Sequence, residues 1–251
     1  MVSAAQSRQW LIDNMRRAVA ACEKRGVGDF LSAWDGAALL DEDTATEVLK
    51  DVASSIVARE SEAVGLATAE FYDELRALEF AEDGFTAEPV PADFGRVQEA
   101  AENLLTRYAE SEEARRIVFN ALKNAISGWI ANTERETIAE NVKRDKKKAL
   151  YALVPSSSPC AFCVVMASRG LMTNRKAKQY GRARMHDNCS CLAVPAWNAS
   201  VNVWGKSKRP EYWQDFYYQA EEKLRENGAT NIKIRDVCAE MRRQNPARFT
   251  S

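Results

Sequence analysis

The sequence predicts a mainly α-helical protein: an N-terminal bundle of long helices, a small zinc-stabilised α+β module, and C-terminal helices. Three observations lead there. Apolar residues recur at steps of three and four through most of residues 4–148, and no proline lies between Pro91 and Pro155. Four of the six cysteines and the only histidine fall between Cys160 and Cys191. Charge is segregated: residues 1–140 carry a net −13, residues 141–210 a net +12, and residues 211–251 balance at 7 of each sign.

Taken in order, residues 4–25 read as a first helix, with Leu11, Met15, Val19 and Cys22 on one face. Cys22 there is a small buried hydrophobe. Gly26 and Gly28 are expected to break this helix, leaving a short helix or turn over 29–40. Thr44-Ala-Thr-Glu47 has the form of a capping box, so a long helix is predicted over roughly 44–80. Its face is Leu49, Val52, Ile56, Ala63, Ala67, Phe71, Leu75 and Leu78. Asp83-Gly84 ends it, and the stretch to Pro89 and Pro91 is a connector.

Pro91 suits the first turn of a third helix over 92–109. Ser111 then caps a helix over 112–148, with Val118, Leu122, Ala125 and Trp129 facing inward. Its end is rich in cations, which the helix macrodipole favours. Pro155 to Pro159 reads as a linker, residues 192–197 as a short strand, and the segment up to Pro210 as a basic loop. Two helices, about 210–227 and 231–244, finish the chain. The aromatic stripe of the first (Trp213, Phe216, Tyr217, Ala220, Leu224) reads as core.

The totals narrow the function classes. A chain of 251 residues, 28% charged and 46% hydrophobic, has the composition of a soluble globular protein and can bury a full core. No apolar run approaches the ~20 residues that cross a bilayer. The first residues lack the layout of a signal peptide, so the expectation is synthesis in a cytoplasm. Thiols stay reduced there, and clustered cysteines then point to metal rather than disulfides.

Cys160-Ala-Phe-Cys163 presents two thiols in one turn, and His186-Asp-Asn-Cys189-Ser-Cys191 offers a second compact set. The candidate zinc ligands are therefore four of Cys160, Cys163, His186, Cys189 and Cys191. The four cysteines are the first choice, and a set including His186 the second. A redox role would need a strand before Cys160 and a helix after it, and the linker reads against that context. A nucleophilic cysteine with His186 as base has no evident third partner. The basic block is most simply solvated or packed on the acidic region. Contact with nucleic acid or a protein partner through Lys146, Lys147, Lys148, Arg175, Lys176, Lys178, Arg182 and Arg184 is the sharper reading.

Tyr151-Ala-Leu-Val-Pro155, the Cys160–Cys163 turn, Ala167-Ser-Arg-Gly170, the His186–Cys191 set and Val194-Pro195 together resemble the head-morphogenesis proteins of tailed phages. These are the minor capsid proteins related to the F protein of phage Mu, in the form common among actinobacterial phages. The resemblance covers residues 135–197. It implies a few-copy virion component near the portal, inside the procapsid, that assists assembly or DNA packaging and delivery. It also implies portal, capsid or scaffold proteins as partners, possible contact with packaged DNA, and a structural role for zinc.

The expected organisation is an acidic helical domain (1–150), a basic Cys/His zinc-binding module (151–210) and C-terminal helices (211–251). No enzymatic activity, membrane or small-molecule substrate is expected. A nucleic-acid-binding zinc protein acting outside a virion is the alternative reading, and a cysteine hydrolase the second alternative.

Overall fold

The computed structural model describes residues 3–80, 84–108, 110–156, 158–173, 191–198, 201–204 and 209–249. Helix α1 (Ala4–Ala37) opens with a capping box, in which the Ser3 hydroxyl accepts from the Gln6 N–H and the Gln6 side chain accepts from the Ser3 N–H. It continues through Gly26 and Gly28, where the sequence predicts a break. Packing overrides propensity at Gly26: a Cβ there would lie 2.7 Å from Ile130 Cδ1 and 3.1 Å from Ile56 Cγ2. The absent side chain lets the helices carrying those isoleucines close on α1.

Helix α2 (Glu42–Ala77) is capped by Asp41, whose carboxylate accepts from the Thr44 N–H at 3.0 Å, and not by Thr44 itself. The aspartate is at least as strong a cap, and Glu42 and Asp43 in the first turn suit the macrodipole. Of its expected stripe, Ala63 is exposed, and Val64 and Gly65 take the inward positions. Helix α3 (Phe94–Leu105) starts at Asp93, which caps the Arg96 N–H, so Pro91 lies ahead of the first turn.

Helix α4 (Glu112–Arg144) is capped by Ser111 as expected, but it ends at Arg144, before the lysines. Strand β1 (Leu150–Val154) and helix α5 (Ala161–Ala167) are elements that the sequence pattern does not announce. Strand β2 (Leu192–Ala196) matches expectation and pairs antiparallel with β1, from Leu150 opposite Ala196 to Val154 opposite Leu192. Helices α6 (Pro210–Glu226) and α7 (Ile234–Gln244) follow, with Pro210 in the first turn of α6. The fold is thus mainly helical, with a small two-stranded sheet among the described residues.

Two apolar cores result. The larger runs from α1, α2, α3 and α4 (Ile12, Phe30, Leu49, Leu105, Ile126, Ile138) into the sheet (Ala152, Val154, Val194). The smaller joins Val164 and Val165 of α5 to Trp213 of α6, Val237 and Met241 of α7, and Phe249. The aromatic face of α6 is therefore core, as its spacing predicts. Among the described residues no helix is long and apolar enough to cross a membrane.

The stretch over 85–92 is a strap held by buried side chains. The Glu88 N–H donates to Asn141 Oδ1 at 2.9 Å, and Asn141 Nδ2 returns a bond to the Glu88 carbonyl at 2.8 Å. The Val90 N–H donates to Thr137 Oγ1, and the Ala87 N–H to Asp73. Gly65 admits the strap, since a Cβ there would meet Pro89 at 3.3 Å.

Asp145, just past α4, is the principal buried charge. It accepts from Trp197 Nε1 at 2.7 Å, Arg76 Nε at 3.0 Å, Tyr72 OH at 3.1 Å and the Lys147 N–H at 2.8 Å. Burial would push its carboxyl up. The Lys147 N–H, the Arg76 guanidinium and the Trp197 indole outweigh that and hold it below the ordinary carboxylate value.

Asp145→Ala should cost about 3–5 kcal/mol in urea denaturation, because it removes the buried acceptor shared by Arg76, Tyr72 and Trp197. A depressed folded-state pKa adds stability above the unfolded value of about 3.9, and that stability is lost as pH falls through the folded value. Asp145→Asn should accordingly flatten the loss of stability below about pH 4. Two of the three glycines of α1 should diverge. Gly28→Ala meets nothing within 4 Å and should stabilise by about 0.5–1 kcal/mol, whereas Gly26→Val should destabilise by about 1–3 kcal/mol in thermal or urea melts.

Candidate metal centre

The sheet register gathers the cysteines. Val154, the last residue of β1, stands opposite Leu192, the first of β2. Pro155, leading toward Cys160, and Cys191, leading into β2, therefore lie at the same end of the sheet. That end is clamped by charged side chains of the bundle. Arg16 of α1 donates to the Val154 and Pro155 carbonyls at 3.1 and 2.9 Å. Arg135 of α4 donates from Nε and a terminal nitrogen to the Cys191 carbonyl at 3.1 and 3.0 Å. Its neighbour Glu134, fully buried, accepts the Ala193 N–H at 3.1 Å on both oxygens. Burial pulls the Arg16 guanidinium below its ordinary value, and the nearby Cys191 and Glu134 oppose that pull.

Cys160 occupies the N-cap of α5, where its sulfur accepts the Cys163 N–H at 3.2 Å, the place a serine would take in an ordinary cap. Cys160, Cys163 and Cys191 form one buried cluster, flanked by the Phe162 ring. Among the described residues no three His, Cys, Asp or Glu side chains are arranged to hold a metal ion. Coordination would need the sulfurs about 2.3 Å from one point. His186 and Cys189 lie outside the described residues, as do Arg175, Lys176, Lys178, Arg182 and Arg184. Lys146, Lys147 and Lys148 are described and form an exposed turn after α4.

The linker reading around Cys160 needs correction. A strand does precede the Cys-x-x-Cys motif and a helix does follow it. Among the described residues the sheet is nonetheless two-stranded and antiparallel, and both thiols are buried, the setting of structural thiols rather than reactive ones.

Four groups escape a reading of the sequence. Arg16, Glu134 and Arg135 sit in helical stretches and look like surface charges until the sheet packs on them. The fourth, Cys238 of α7, is buried against α5, where burial pushes its thiol up to about 11 and the nearby Cys160 adds to the shift. Cys22 lies instead in the larger core, with Arg25 donating to its sulfur at 3.1 Å.

Searches of characterised proteins and of solved structures return no match. The family model of the VG15 protein matches residues 6–220, from the first turn of α1 into α6. That span takes in the helical bundle, the sheet with its clamps, and all five candidate ligands. The chain belongs to the VG15 protein family, a viral family.

Proposed function

We propose that this chain is a minor capsid protein of a tailed phage, of the head-morphogenesis kind related to the Mu F protein. It resides at the portal vertex inside the procapsid, contacts the portal and capsid or scaffold proteins, and catalyses no reaction. The observation that carries this reading is the placement of the residues that resemble that family. Tyr151 to Pro155 builds β1 and its exit, Cys160 and Cys163 start α5, and Val194-Pro195 lies in β2, so one structural unit holds the described part of the resemblance. Membership of a viral family across most of the chain supports it.

In this reading the cysteine cluster is a zinc staple. The donors have the right chemistry: two thiols come from one turn, one accepting a backbone N–H, and the register of β2 brings a third beside them, though the three must draw together to reach one ion. Cys160, Cys163 and Cys191 would hold the ion with His186 or Cys189. Bound zinc would tie α5 to the start of β2.

Protein purified without chelator should contain about one zinc per chain by elemental analysis, and Cys160→Ser should lower both zinc content and melting temperature. A folded, metal-free protein would overturn the staple. Mass spectrometry of purified particles should find the chain at a few copies in both procapsids and virions. Its absence from both, alongside abundance in infected cells, would overturn the virion role.

A further inference from the structure

We propose that the lysine turn after α4 is a binding site for the phosphate backbone of DNA. The turn is Asp145-Lys146-Lys147-Lys148, closed by the Lys148 N–H donating to the Asp145 carbonyl at 3.2 Å. Its three lysines are all exposed.

The helix macrodipole does not account for them. That field is confined to the last turn of a helix. There Lys143 and Arg144 already supply the cations, and each has a carboxylate partner: Glu140 at 2.9 Å for Lys143, and Glu88 for Arg144. The lysines lie beyond that turn, and no ion pair joins Lys146 or Lys148 to a carboxylate among the described residues. The acid inside the turn is already engaged, since Asp145 points inward to Arg76, Tyr72 and Trp197. Lys146 and Lys148 thus stand exposed beside Lys147, on a turn whose own negative charge is buried and paired.

Two further features point to a ligand. Lys148 has φ of 58°, the only positive φ of a non-glycine residue among those described. Glycine adopts that conformation without strain and lysine does not, so a cation stands where a stable turn would prefer none. Beside the turn, Lys147 Nζ sits 5.2 Å from the centre of the Phe80 ring, which meets Trp197 edge to face at 5.9 Å. Both rings are half-buried. Cations at close intervals suit a polyanion, whose phosphates repeat along the strand. An acidic protein surface is the competing partner, and the experiment separates the two.

The inference rests on the virion reading only for which DNA the turn would meet. Binding by purified protein requires no particle, so either proposal can fail alone. The full-length protein is titrated into a fluorescent DNA duplex of mixed sequence, by anisotropy, across a series of potassium chloride concentrations. Combined Lys146→Gln, Lys147→Gln and Lys148→Gln should weaken low-salt binding about tenfold or more. It should also reduce the slope of log affinity against log salt by about 0.9 for each phosphate that the variant no longer neutralises. Lys148→Gly should melt about 2–4 °C higher while binding more weakly, a separation that a structural role would not produce. Neutralising Lys24, Lys123 and Lys223 together should leave the slope unchanged.

Absence of duplex binding at low salt would overturn the proposal. So would an unchanged slope in the triple variant, an equal loss in the Lys24, Lys123 and Lys223 control, or tighter binding to polyglutamate than to the duplex.

Discussion

A carboxylate taken out of water keeps its charge only if donors replace its hydration, and Asp145 has four of them. They come from three parts of the chain: Tyr72 and Arg76 from α2, Trp197 from the end of β2, and the Lys147 amide from the turn itself. The bundle, the sheet and the basic turn therefore share one anchor. Arg76 extends the node by stacking over the Phe80 and Phe85 rings, which bracket the end of α2 and the start of the strap. Loss of this ion would remove the one acceptor that Arg76, Tyr72 and Trp197 share, so the elements around it hold or fail together.

The same logic operates at the other end of the sheet. Arg16, Glu134 and Arg135 saturate the backbone of Val154, Pro155, Cys191 and Ala193, groups that the two short strands leave unpaired. These clamps fix where Cys191 emerges relative to Cys160 and Cys163. The bundle thus holds the exit of β1 and the entry to β2, which explains how a short two-stranded sheet persists at all. α5 bridges the two cores: its cysteines face the sheet end, and its valines face α6 and α7.

Function in this reading lies in surfaces and not in a reactive centre. The thiols are buried, the paired charges within the bundle are structural, and a cluster of exposed cations stands on the turn after α4. A metal staple and a carboxylate node then serve one end, which is to hold a basic face rigid beside a long acidic bundle.

Much of the helical fold was legible in the residues. The stripes Leu11, Met15, Val19, Cys22 and Val118, Leu122, Ala125 are buried, and Ser111 caps where its position indicated. The charge segregation and the cysteine spacing also picked out the region where the site forms. Sequence periodicity reports such features because they depend on neighbours within a turn or two. What it misread depended on distant partners. Gly26 stays helical because Ile56 and Ile130 fill its missing side chain. β1 has no alternation because it is buried along its length. Glu134, Arg135 and Asp145 look like solvated charges until strands and rings arrive from 50 or more residues away. Composition and spacing determined a mainly helical protein with a cysteine cluster. Only tertiary packing decided which charges are buried, and hence which thiols meet and which lysines are left facing outward.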